Sequence, residues 1–172
     1  LTTKAQQVFD KLPARNAIVW TSLIAGYADH GQGEKALACF EQMQEQGVSP
    51  NAITFVSVLK ACCSIGSSNR MAEIHSEVER LGLLETCNVV GSSLVDMYFK
   101  SGNLTNGEHV FHKLRVQDRV SWTILIGGYA QLGEIESAVL IFERMLGEGI
   151  KPDMVTFLIL LSTCRFAGLW NE

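Results

Sequence analysis

Basic charge is what this sequence most conspicuously lacks. Fourteen Lys and Arg stand against 18 Asp and Glu, a formal net charge of −4, which argues against a broad basic surface able to hold nucleic acid by electrostatics alone. There is no C-x-x-C anywhere and there are only four histidines, so the common zinc frames are missing. Neither a nucleophile–base set nor a phosphate-binding loop is present, which excludes the usual enzyme signatures. Only three prolines occur, and fifteen glycines are spread along 172 residues, so no linker or low-complexity block stands out. No charge-free apolar run reaches the roughly 18 to 20 residues that cross a bilayer. The N-terminal LTTKAQQVFDKLPARN lacks the apolar core of a secretory signal, and the chain reads as a soluble piece of something longer. The five cysteines, Cys39, Cys62, Cys63, Cys87 and Cys164, are odd in number and sit mostly in apolar helical pattern. That placement fits buried thiols in a reducing compartment better than a disulfide frame.

What the sequence does have is itself, twice. IVWTSLIAGYA from Ile18 returns as VSWTILIGGYA from Val120, with Trp20 moved to Trp122, 102 positions on. The echo runs further: Gly31, Ala36, Phe40, Glu41, Met43, Gly47 and Pro50 correspond to Gly133, Ala138, Phe142, Glu143, Met145, Gly149 and Pro152. A fixed period of this kind is the mark of a repeat architecture.

Shorter periods lie inside the long one. Apolar or small residues at i, i+3, i+4, i+7 open four segments: Trp20, Leu23, Ile24, Tyr27; Phe55, Val58, Leu59, Cys62; Gly91, Leu94, Val95, Tyr98; and Trp122, Leu125, Ile126, Tyr129. A fifth, Phe157, Leu160, Leu161, Cys164, begins near the C-terminus. This spacing places each set on one helical face. A glycine or polar break follows, then a second amphipathic helix, which in the first copy carries Ala36, Leu37, Phe40 and Met43 and stops near Gly47, with Pro50 just beyond. The unit is therefore a helical hairpin. Complete hairpins are expected over 17–51, 52–87, 88–118 and 119–153, with residues 1–16 closing an earlier unit and 154–172 opening a later one. A single hairpin cannot bury its own stripe, but stacked hairpins can, so the expected fold is all-α, an α-solenoid. Uncapped ends, notably around Phe157 to Cys164, would expose apolar surface and favour self-association.

Tetratricopeptide repeats have similar hairpins but a glycine after the motif leucine; here Ile24, Val95 and Ile126 stand there, and the second helix ends in Met43 or Met145 followed by Gly-x-x-Pro. The chain instead resembles the pentatricopeptide repeat family. The successive lengths 35, 36 and 31, which together make the 102-residue period, resemble its plant PLS subclass. On that resemblance AQQVFDKLPARN (1–16 region) is the end of an S motif, 17–51 a P motif, 52–87 an L motif, 88–118 an S motif, 119–153 a P motif, and 154–172 the start of an L motif. The resemblance implies a right-handed superhelix that binds single-stranded RNA, is not an enzyme and needs no cofactor. In full-length form it would direct C-to-U editing in a plastid or mitochondrion, and possible partners are multiple organellar RNA editing factor proteins.

In the family, the fifth and last residues of each motif meet one base. Carried onto this chain, the couples are Thr21 with Asn51, Val56 with Cys87, Ser92 with Asp118, and Thr123 with Asp153. Asn16 and Leu158 lack their partners. An amide donates and accepts, which suits adenine; a carboxylate only accepts, which suits guanine. The implied reading is adenine, unspecified, guanine, guanine, because the Val56 and Cys87 couple offers no hydrogen-bond readout. Ile18, Ile53, Val89, Val120 and Val155, three residues before each fifth position, would sandwich the bases, or else simply pack between repeats. Lysine at the thirteenth position approaches phosphate in the family; only Lys100 does so here, against Asp29, Ser64 and Gln131, so binding should be modest and shallowly salt-dependent. The alternative function is a protein-docking scaffold, which the net acidity favours.

Some features point elsewhere. His75-Ser76-Glu77 matches half of a zinc deaminase signature, but the P-C-x-x-C that completes it is absent. His109 and His112 share a helical face without a third ligand. Trp20 and Trp122 lie within the apolar stripes and are expected in the core. Glu34, Glu41, Glu136 and Glu143 are expected on a solvated outer face.

Overall fold

The computed structural model describes residues 2–166, with side chains from 4 to 163, and over that span contains eleven helices and no strand. Cys164, the last member of the fifth stripe, lies outside the described side chains. The chain divides into two compact units, Leu1–Leu83 and Leu84–Glu172. The first holds α1 (Thr2–Asp10), α2 (Ala17–Asp29), α3 (Gly33–Glu45), α4 (Ala52–Ser64) and α5 (Ser68–Arg80). A single turn, α6 (Leu83–Thr86), falls at the division. The second holds α7 (Asn88–Lys100), α8 (Leu104–Lys113), α9 (Arg119–Gln131), α10 (Ile135–Gly147) and α11 (Met154–Phe166).

The helices are short because both ends carry stop signals. Asn16, Asn51, Asp118 and Asp153 each sit just ahead of a first helix, and their Oδ1 atoms accept the backbone N–H three residues on, at 3.1, 3.0, 2.9 and 3.0 Å. That bond satisfies one of the four N–H groups a helix start leaves without a partner. Helix ends are closed by glycines in the left-handed region, such as Gly31 and Gly47, both at φ 69°. Beyond Gly47 the Val48 N–H turns back to the Met43 carbonyl at 3.0 Å, and the Gly47 N–H bonds the Gln44 carbonyl at 2.9 Å. This pair of bonds ends a helix and starts a turn in one step, and it requires a residue that tolerates positive φ.

The apolar stripes face each other across neighbouring helices. In the first unit Trp20 of α2 meets Phe9 of α1 edge-on, ring centroids 4.6 Å apart, and Phe55 of α4 meets Phe40 of α3 at 6.0 Å. The second unit repeats both contacts 102 residues later, Trp122 on Phe111 at 4.9 Å and Phe157 on Phe142 at 6.0 Å. Trp20, Phe55 and Trp122 are fully buried or nearly so, which places both tryptophans in the core. Tyrosine hydroxyls at the ends of these stripes are anchored too: Tyr27 donates to Gln6 at 2.8 Å, and Tyr129 donates to Glu108. Burial, with the Glu108 bond second, pushes the Tyr129 hydroxyl well above its ordinary pKa.

The hairpin from α7 to α8 departs from this pattern, and its departures explain one another. Its first helix has Gly91 where the others have an aromatic. A Cβ at Gly91 would stand 2.3 Å from the Leu114 side chain. Leu114 occupies that space because α8 is only ten residues long and ends in extended backbone at Leu114, with no left-handed glycine. A shorter second helix thus folds its own exit residue into the aromatic's place.

The thiols follow burial. Cys39 and Cys62 are buried, Cys63 and Cys87 half-buried, and all four are free. Desolvation pushes Cys62 up to about 11, which keeps it protonated and unreactive at neutral pH. Over the described residues no helix is long and apolar enough to cross a membrane. At the far end, Phe157, Leu158 and Leu161 of α11 are exposed.

Candidate nucleic-acid interface

Five β-branched side chains stand in water at the second position of each first helix. Ile18 is 71% exposed, Ile53 64%, Val89 64%, Val120 58% and Val155 55%. Packing between repeats would have buried them, and isolated burial of such residues is the norm in a core. Their regular exposure within each unit is therefore a surface feature. In the second unit, Val89 and Val120 flank a cleft of about 240 Å³ whose lining includes Ser92, Asp118, Asn88 and Asp96. Its lining residues belong to α7, to α9 and to the cap residue of α9.

The polar couples expected from sequence are found in three different arrangements. Thr21 and Asn51 are joined: the Asn51 Nδ2 donates to Thr21 Oγ1 at 3.3 Å. Thr123 and Asp153 are linked through a third residue, since Thr123 Oγ1 lies 2.8 Å from Thr156 Oγ1, which donates to Asp153 Oδ1 at 3.0 Å. Ser92 and Asp118 line the same cleft without a direct bond; Asp118 Oδ2 accepts from Asn88 Nδ2 at 3.1 Å instead. Val56 belongs to the first unit and Cys87 to the second. Cys87 precedes α7 as its cap residue but makes no capping bond. Thr21 and Ser92 are buried, Thr123 half-buried.

Asn51, Asp118 and Asp153 therefore already have one oxygen committed to the next helix start. The other atom of each carboxylate or amide carries the remaining hydrogen-bonding capacity. For Asp153, hydrogen bonding from the Thr156 backbone N–H, helped by Arg119, with its Nε 3.4 Å from Oδ2, holds the carboxyl below the usual range. It is an anion and an acceptor at neutral pH.

Cations are scarce at the surface and mostly engaged. Lys100 Nζ sits 2.6 Å from Asp96 Oδ2 one turn back on the same helix, and Lys60 pairs with Asp29 at 2.6 Å. Glu41 is exposed yet pairs with Arg70, which also holds Glu73 at 2.9 Å. Glu34, Glu136 and Glu143 are exposed. His75 lies half-buried on α5 beside Glu79 at 3.5 Å, and His109 and His112 are exposed on α8. No cluster of three metal-ligating side chains forms over the described residues.

Sequence reasoning missed Thr54 and Thr156. Both are fully buried, and both touch a fifth-position threonine and the preceding cap residue at once. A signal was available: Asn51 to Thr54 and Asp153 to Thr156 share the three-residue spacing of a capping pair, and Thr54 and Asn51 form one.

Fold and surface together define a helical-hairpin repeat protein in which each first helix exposes an aliphatic residue at its second position. The PPR repeat family model matches residues 15–64 and 117–165, and the chain belongs to that family. Among curated relatives from Arabidopsis thaliana, the pentatricopeptide repeat-containing protein CRR2, chloroplastic, is 39% identical over 170 residues, covering 98% of this chain and 26% of the relative. Another, At3g22150, chloroplastic, is 39% identical over 158 residues, covering 92% and 19%; a third, At3g11460, is named mitochondrial and is 35% identical, covering 97% and 27%. The chain spans about a quarter of the length of these relatives. Among solved structures, the pentatricopeptide repeat protein PPR10 in complex with an 18-nt psaJ RNA element superposes with a TM-score of 0.82 at 21% identity, covering 96% of this chain and 25% of that one. PPR10 from maize superposes with a TM-score of 0.67, covering 90% and 23%. These likenesses show the fold, an α-solenoid of helical hairpins.

Proposed function

We propose that this chain binds single-stranded RNA, three of its four complete repeats each offering one base a polar couple flanked by exposed aliphatic side chains. The carrying observation is the cleft bounded by Val89 and Val120, which holds Ser92 and Asp118 together. The flat face of a base would cover two side chains that otherwise stand in water, and aliphatic contacts should contribute less than the roughly 1–3 kcal/mol per base of aromatic platforms. The proposed letters are adenine for Thr21 with Asn51, none for Val56 with Cys87, and guanine for Ser92 with Asp118 and for Thr123 with Asp153. PPR10, solved in complex with an RNA element, and the organellar names of the relatives support this reading. Assignment to the PLS subclass, a role in C-to-U editing in a plastid or mitochondrion, and docking of multiple organellar RNA editing factor proteins belong to the same proposal and rest on the lengths and motifs of the repeats.

The protein-docking alternative is favoured by the net charge of −4 and by the pairing of Lys100 with Asp96. One substitution separates the two. Ser92→Asn, next to an unchanged Asp118, is expected to move the preference at that base from guanine to uracil in a fluorescence-anisotropy series with short oligomers. A docking scaffold would show no base-dependent change.

A further inference from the structure

Two buried threonines outside the reading couples are placed to decide what those couples say. We propose that Thr54 and Thr156 are positioning residues for base discrimination: each ties the hydroxyl of the preceding repeat's fifth residue to the adjoining Asn51 or Asp153 and so orients the couple. This rests on the base-reading function above and adds a third residue to two of its couples.

Thr54 Oγ1 accepts the Asn51 backbone N–H at 3.1 Å and lies 3.1 Å from Asn51 Oδ1. Because Asn51 Oδ1 also accepts the Thr54 N–H at 3.0 Å, the oxygen of that amide is identified by its partner, and it can only accept. Thr54 has one hydroxyl proton, and it goes there. The contact of 2.7 Å between Thr54 Oγ1 and Thr21 Oγ1 must then use the proton of Thr21. With both lone pairs left, Thr21 takes one N–H of Asn51 at 3.3 Å and keeps one lone pair free. The couple presents one acceptor, Thr21 Oγ1, and one donor, the second Nδ2–H. Adenine's pairing edge offers the complement, the N6–H donor and the N1 acceptor.

The second unit repeats the bridge with a carboxylate. Thr156 Oγ1 donates to Asp153 Oδ1 at 3.0 Å, a bond strengthened by the charge, and Thr123 Oγ1 donates to the Arg119 carbonyl at 2.8 Å, while the two hydroxyl oxygens stand 2.8 Å apart with either able to donate. Thr123 Oγ1 and Asp153 Oδ2 are then two acceptors, which match the N1–H and N2–H donors of guanine. The remaining couple is the internal control. Ser121 stands where Thr54 and Thr156 do, but its hydroxyl turns back to the Asp118 carbonyl at 2.8 Å. Over the described residues no hydroxyl bridges Ser92 to Asp118, so Ser92 is free to donate or accept and should discriminate less sharply.

The test uses the full chain and fluorescently labelled short oligomers that vary one base at a time, with anisotropy as the readout below the melting midpoint of every variant. Thr54→Val should cut the adenine-over-guanine preference at its own base by roughly three- to tenfold, the worth of about one hydrogen bond, and leave the guanine preference at the Asp153 base unchanged. Thr54→Ser, which keeps the hydroxyl, should restore the preference. An unaltered adenine-over-guanine ratio in Thr54→Val overturns the positioning role while base reading stands. Base reading itself fails if Asn51→Asp does not shift the preference toward guanine. Should Thr54→Val not fold, Thr156→Val is read in the same way against guanine at the Asp153 base, and unfolding of both makes the bridge structural only, which also overturns the proposal.

Discussion

Gly26 and Gly128 hold the same place in their helices, 102 residues apart, yet a methyl group would meet different surroundings. At Gly128 a Cβ would stand 2.2 Å from the Phe99 ring; at Gly26 nothing lies within 4 Å. Gly128→Ala is therefore expected to destabilise by about 1–3 kcal/mol through overpacking. Gly26→Ala should stabilise by about 0.5–1 kcal/mol, since it removes the entropy cost of glycine within a helix. Urea midpoints of the two variants check the opposite signs; a shared sign would contradict the packing around Phe99. The tryptophans were readable from spacing, because a residue within an i, i+3, i+4, i+7 stripe is buried wherever the helix packs. The two glycines were not, since the sequence spells both with the same letter in the same context and only the neighbour differs.

At the scale of the element, each first helix is defined by its cap residue. Asn16, Asn51, Asp118 and Asp153 supply a side-chain oxygen, and Cys87 does not. Replacing Cys87 with a good cap should strengthen α7: Cys87→Ser is expected to add about 0.5–1 kcal/mol, seen as a rise in thermal midpoint. Equal midpoints would mean that the backbone at Cys87 cannot bring a hydroxyl to the third N–H of α7. Helix positions were legible here because cap, stripe and glycine stop agree at every complete hairpin but the one from α7 to α8. The cap bonds were also the reason the proposed couples were only half visible: the Asn or Asp that caps a helix is the residue proposed to meet a base, and which oxygen is left over depends on where the next helix begins.

For the whole molecule, the decisive quantity is charge. Fourteen cationic side chains against 18 acidic ones leave few counterions to release from RNA, and Lys100 is held by Asp96. Asp96→Asn frees the lysine without removing it. We expect tighter RNA binding and a plot of log affinity against log salt steeper by up to about one unit, the contribution of a single phosphate contact. An unchanged slope would place Lys100 away from the phosphate backbone.

The sequence by itself determined the all-helical hairpin repeat, the buried faces and the 102-residue period, because helical spacing, glycine stops and caps act over a few neighbouring residues and appear wherever those residues do. Tertiary structure alone decided that Ile18 and its counterparts stay in water, that Leu114 takes an aromatic's place over Gly91, and that Thr54 and Thr156 bridge to Thr21 and Thr123. Each of those outcomes depends on which side chain of a distant helix arrives within hydrogen-bond or van der Waals reach, and direction across a helix pair is not written in local spacing.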